Sequence, residues 1–147
     1  MAVTSPDADV AELSTALERV VTMVRRMLPS QPMSLTSVSV LRSLESSGPT
    51  RLTSLAITQG VTQPAMTQLI TRLERDGYVE RGGSAQDARV VLVRLTGAGQ
   101  DFLNHRRELR ASHLSDLLNR LPADDRAQIL AAIPALDLLA SLGQESV

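Results

Sequence analysis

The chain contains no cysteine, no tryptophan and no lysine, and Tyr78 and Phe102 are its only aromatic residues. Without cysteine, disulfide bridges, thiol redox chemistry and thiolate metal sites are all excluded. With so few rings, the core of these 147 residues must be assembled from Leu, Val, Ile, Met and Ala, which suits packed helices. The two histidines, His105 and His113, are too far apart on one expected helix for an i, i+4 metal pair, and neither belongs to a nucleophile motif. The expectation is a protein without metal, without cofactor and without catalytic constellation, and not an enzyme. No apolar run approaches the roughly 18 residues of a membrane span. Met1–Asp9 is polar and expected to fray, with no charged start leading into an apolar stretch. Together these absences lead to the expectation of a cytoplasmic protein with no membrane partner.

What is present is arginine. All 15 basic residues are arginines, whose planar forks match phosphates and base edges better than an ammonium does. The net charge of −1 advertises nothing, but its distribution is uneven. Between Arg51 and Arg94 six arginines face four acids, whereas the rest of the chain carries nine arginines and twelve acids. The middle is mildly basic and the flanks are acidic.

Periodicity gives the element order. Val10, Leu13, Leu17, Val20, Val21, Val24, Met27 and Leu28 recur at helical spacing, and Pro29 and Pro32 end that helix. Thr36 is the expected cap of a second helix burying Val38, Leu41 and Leu44, stopped at Gly48-Pro49. A short helix from Leu52 to Gln59 leads into a turn at Gly60-Val61. Thr62 caps the next helix, with Pro64 in its first turn and Ala65, Met66, Leu69, Ile70 and Leu73 as its apolar stripe. Asp76-Gly77 ends it, since glycine suits the left-handed position after a helix. The period then changes to that of strands, Tyr78–Arg81 and Val90–Leu95, joined by a small polar loop as a hairpin. Thr96 caps a long helix to about Asn119. A final stripe of Ile129, Leu130, Ile133, Leu136, Leu139 and Leu142 is interrupted by Pro134, which should kink or split its helix.

Helix, short helix, glycine turn, helix and hairpin is the order of a winged helix-turn-helix, whose second helix enters the major groove. The fold class expected is mainly α with a small β-hairpin. Opposite its apolar stripe, the helix after Gly60 shows Thr62, Gln63, Thr67, Gln68, Thr71 and Arg72, with no acid among them. Gln pairs with adenine in bidentate fashion, and Thr meets bases or phosphates. Arg72 and Arg75, nearer the C-terminal end, suit phosphate. Arg89 sits where the hairpin tip meets the returning strand, placed to enter a narrow minor groove. Asp87 is expected to be an orienting partner for an arginine or for the N–H groups of the tip.

These segments resemble the MarR family of bacterial transcriptional regulators. The resemblance is carried by Leu52-Thr53-Ser54-Leu55-Ala56, by Val61-Thr62-Gln63-Pro64-Ala65-Met66-Thr67, and by Arg72-Leu73-Glu74-Arg75-Asp76-Gly77-Tyr78-Val79-Glu80-Arg81. Asp87-Ala88-Arg89 and Val93-Arg94-Leu95-Thr96-Gly97-Ala98-Gly99 complete it. It implies a dimer held by the first and the last two helices, each lobe meeting half of a near-palindromic operator in double-stranded DNA. The implied organisation is 1–34 as an N-terminal dimerisation helix, 35–96 as the DNA-binding lobe, and 97–147 as C-terminal dimerisation helices. Regulation is expected to be repression, with a small-molecule effector as the candidate release signal. Two departures stand out: Ala88, where the family often carries a basic residue, and Pro134 in the last helix. Two other readings stay open, a winged-helix protein-interaction adapter and a ligand sensor that does not bind DNA.

Overall fold

The computed structural model describes residues 6–27, 33–83 and 90–145. The elements run α1 (Pro6–Met27), α2 (Leu35–Ser47), β1 (Thr50–Arg51), α3 (Leu52–Thr58), α4 (Gln63–Arg75), β2 (Val79–Gly83), β3 (Val91–Leu95), α5 (Gly97–Leu118), α6 (Ala123–Ala131) and α7 (Ile133–Glu145). They group into two compact units that meet within α5, residues 1–109 and 110–147.

In the first unit the core is aliphatic, as the missing rings require. Val38, Val40, Leu41 and Leu44 from α2 meet Leu55 and Ala56 from α3, Met66, Ile70 and Leu73 from α4, Val79 and Val93 from the sheet, and Leu103 from α5. The lobe is closed by one threonine. The Thr96 hydroxyl donates to the Gly77 carbonyl at 2.6 Å and accepts from the Gly99 amide at 3.1 Å, so it caps α5 and ties that cap to the turn after α4. Gly99 makes this approach feasible: a Cβ there would lie 2.3 Å from the Tyr78 carbonyl oxygen. Gly77 takes φ 82° at the end of α4, the backbone region that favours glycine.

Several boundaries differ from the sequence expectation. Helix α1 begins at Pro6, not after Asp9, with the proline at its first position, where a missing N–H costs nothing. The cap of α2 is Ser34, whose hydroxyl accepts from the Ser37 amide at 3.1 Å, and Thr36 lies inside the helix. Ala65 is exposed and not part of the buried stripe. The hairpin is part of a three-stranded antiparallel sheet ordered β1-β3-β2, in which Thr50 and Arg51 pair with Val93 and Leu92.

In the second unit the expected last helix is split. The chain turns at Ala132, and Pro134 falls in the first turn of α7, the position that tolerates its lack of a donor. Among the described side chains, neither α6 nor α7 buries one. The expectation that nothing approaches a membrane span needs correction: Ala123–Gly143 is long and apolar enough by composition, although the break at Ala132 interrupts it.

Candidate nucleic-acid interface

The first helix of the pair is short because its end is tightly tied. Gln59, Gly60 and Val61 donate to the Leu55, Ile57 and Ala56 carbonyls, and Gly60 adopts φ 61°. The Gln59 side chain also reaches Ser43 of α2 at 3.1 Å. Helix α4 then starts afresh, with the Thr62 hydroxyl accepting from the Ala65 amide and Pro64 in the first turn. Burial of Met66, Ile70 and Leu73 fixes which face α4 turns outward.

That outward face carries Gln63, Thr67, Gln68, Thr71 and Arg75, all exposed, with Thr62 at its start. Its two threonines are committed in part. Thr67 Oγ1 donates to the Gln63 carbonyl and Thr71 Oγ1 to the Thr67 carbonyl, each at 2.9 Å. Arg72 is exposed too, but lies at the other edge. There, with Met33, Ser34, Ser37, Leu73, Asp76, Tyr78 and Phe102, it lines a cleft of about 320 Å³. Arg75 pairs with Asp76 at 3.0 Å, a solvent-exposed contact of little energetic weight. Asp87 and Arg89 lie outside the described residues.

Two arginines that the sequence reading left without a role brace the sheet. Arg81 on β2 faces α4: its guanidinium bonds the Glu74 carboxylate through Nη1 and Thr71 Oγ1 through Nη2 at 2.9 Å, while its backbone amide donates to the other Glu74 oxygen at 3.1 Å. Arg94 on β3 lies across Gly82, where an added Cβ would stand 3.8 Å from its guanidinium carbon, and donates to the Gly83 carbonyl at 3.3 Å. An acid and a base on either side of the Asp76-Gly77 turn were the available signal for the first. Nothing local marks the second.

A short helix, a glycine turn, an outward-facing polar helix and a three-stranded wing define a winged helix-turn-helix protein. Residues 33–91 match the MarR family. An HTH-type transcriptional regulator of Mycobacterium tuberculosis is 35% identical over 136 residues, 92% of this chain and 93% of that one. Among solved structures, a transcriptional regulator of Thermotoga maritima superposes with a TM-score of 0.78 at 22% identity, over 92% of this chain and 98% of the other. A MepR mutant of Staphylococcus aureus, bound to an oligodeoxyribonucleotide, gives a TM-score of 0.67 at 18% identity, over 90% and 96%. The chain belongs to the MarR family and is a DNA-binding transcriptional regulator.

Proposed function

We propose that the protein is a homodimeric repressor, with α4 of each copy in the major groove of one half of a near-palindromic operator. The observation that carries this reading is the outward face of α4. Along it no acidic side chain competes with DNA: Glu74 is half-buried against Arg81, and Asp76 is paired with Arg75. Gln63 and Gln68 supply paired donors and acceptors suited to adenine. Because the Thr67 proton is given to a carbonyl, its oxygen offers a base edge only acceptor capacity, alongside a methyl suited to thymine. Thr62 and Thr71 share the face, and Arg72 and Arg75 suit phosphates. Arg89 is the minor-groove arginine of this reading, with Asp87 near it in sequence.

In this proposal residues 1–34 and 97–147 form the dimerisation region and 35–96 the DNA-binding lobe. The exposed apolar stripes of α1 and of α6–α7 support it, since a second copy would cover them. The cleft beside Arg72 is the natural seat for a small-molecule effector that shifts the population of DNA-competent dimers. The protein acts as a cytoplasmic binding protein and not as a catalyst.

The test is selection of genomic fragments by the purified protein, followed by anisotropy titration. Saturable, salt-sensitive binding to a motif with half-sites about one helical turn apart is expected. Replacing Gln68 with Ala should relax discrimination at one base pair by about 1–3 kcal/mol. Arg72→Ala should weaken all duplexes alike and reduce the salt slope by about one. A protein that enriches no duplex sequence is not this regulator.

A further inference from the structure

We propose that Arg81, held by Glu74, is a positioning residue for DNA recognition: it locks the base of the wing to the reading helix and withdraws Thr71 from base reading. The inference rests on the proposed placement of α4 in the major groove and adds which side chains read and which brace. Three contacts converge on one carboxylate and one hydroxyl. Glu74 accepts from both the backbone amide and the guanidinium of Arg81, so strand β2 is held by its main chain as well as its side chain. The Arg81 Nη2 then reaches Thr71 Oγ1 at 2.9 Å, while the same oxygen gives its proton to the Thr67 carbonyl at 2.9 Å.

A hydroxyl has one proton and two lone pairs. That of Thr71 has spent its proton and one lone pair within the protein and keeps a single lone pair on an oxygen anchored by Arg81, whereas Thr67 has spent only its proton and keeps two. Their roles therefore differ although both are exposed threonines on one face. Thr67 reads, and Thr71 links the helix to the wing. The opposite side of the sheet is braced separately, with the Arg94 guanidinium across Gly82. The base of the wing is thus fixed on both faces, and α4 and the sheet meet the duplex as one rigid surface.

The experiment uses the full-length protein and the duplex that it selects, comparing Glu74→Gln, Arg81→Met, their combination, and Thr71→Val. Removing the negative charge of Glu74 would, by electrostatics alone, tighten binding to any DNA. The positioning role predicts the opposite sign for the selected duplex: Glu74→Gln should weaken it about ten-fold, with binding to unrelated duplex unchanged or tighter. Arg81→Met should lose a similar factor on the selected duplex, and the combination should be no worse than the more severe single change, because both remove one linkage. Thr71→Val, which removes the hydroxyl that Arg81 holds, should weaken the selected duplex in the same direction as Arg81→Met, with no one base pair losing its preference more than the others, and thermal melting of each variant separates a lost pose from a lost fold. Equal or tighter operator binding by Glu74→Gln, additive losses in the combination, or a changed base preference in Thr71→Val would each overturn the inference. If the wild-type protein selects no duplex at all, it is the DNA-reading proposal beneath it that falls.

Discussion

The helix-turn-helix lobe and the terminal helices are written in the same aliphatic alphabet, yet only one of them is finished by its own chain. All the buried apolar side chains among the described residues lie between Val38 and Leu103. Helix α1 instead exposes Val10, Leu13, Val20 and Val21, and α6 and α7 expose Ile129, Leu130, Ile133, Leu136, Leu138, Leu139 and Leu142. A helical stripe says which face is apolar; it does not say whose atoms will cover it. Apolar stripes left open in this way are uncommon on a protein that works as a monomer, so the contrast separates a lobe that folds on itself from helices whose apolar faces await the second copy proposed above.

The largest effect should come from breaking the unfinished side. Glu in place of both Leu136 and Leu139 puts two charges into the face assigned to the partner copy. Light scattering should then report half the wild-type mass. Operator binding should fall about 100-fold or more as two linked half-site contacts become independent ones. A wild-type protein already monomeric at micromolar concentration would remove the basis for the contrast.

Next in size is a break inside the finished lobe. Gly99→Ala drives a methyl to within 2.3 Å of the Tyr78 carbonyl and 2.6 Å of Leu95 Cδ1, where helix and turn cannot both stay. A cost of about 3 kcal/mol is expected from such overpacking. Gly97→Ala, two residues earlier and with nothing within 4 Å, should change stability by only about 0.5 kcal/mol. Melting curves of the two variants side by side test whether α5 is held by this single close approach. Similar curves would mean that it is not.

How much of this could be read before folding follows the same division. Helical stripes, the glycines at 60 and 77, and the proline at 64 act through local geometry, so the helix-turn-helix pair and its outward polar face were legible. The strand β1 was not, because two residues carry no period and Thr50-Arg51 becomes a strand only through pairing with Val93 and Leu92. Residue type points to Thr36 as the cap of α2, but the cap is Ser34, whose backbone stays extended at ψ 158° before Leu35. The Glu74–Arg81 brace was signalled only by an acid and a base flanking the turn at Gly77, and each reads singly as a solvated charge until that turn brings them together. Pro134 was legible as a break, but the break falls at Ala132, which leaves the proline in the harmless first turn of α7.

The smallest expected effect sharpens the comparison from within the lobe. The carboxylate of Glu45 on α2 receives the Arg107 guanidinium and the Gln100 amide, both from α5, and so ties the start of that helix to the lobe. These hydrogen bonds, Arg107 first, lower its pKa from 4.5 to about 2. The folded protein therefore holds this proton less tightly than the unfolded chain. The tie contributes its full stability above about pH 4.5 and loses it as pH falls through about 2. The melting temperature of wild type should exceed that of Glu45→Gln at neutral pH, and the gap should close between those two values. Because the Arg107 side chain is 51% exposed, water and salt screen the pair, and the gap should also narrow in about 1 M salt. A gap that ignores both pH and salt would mean that α2 and α5 are joined by packing alone, with the carboxylate contributing only its shape.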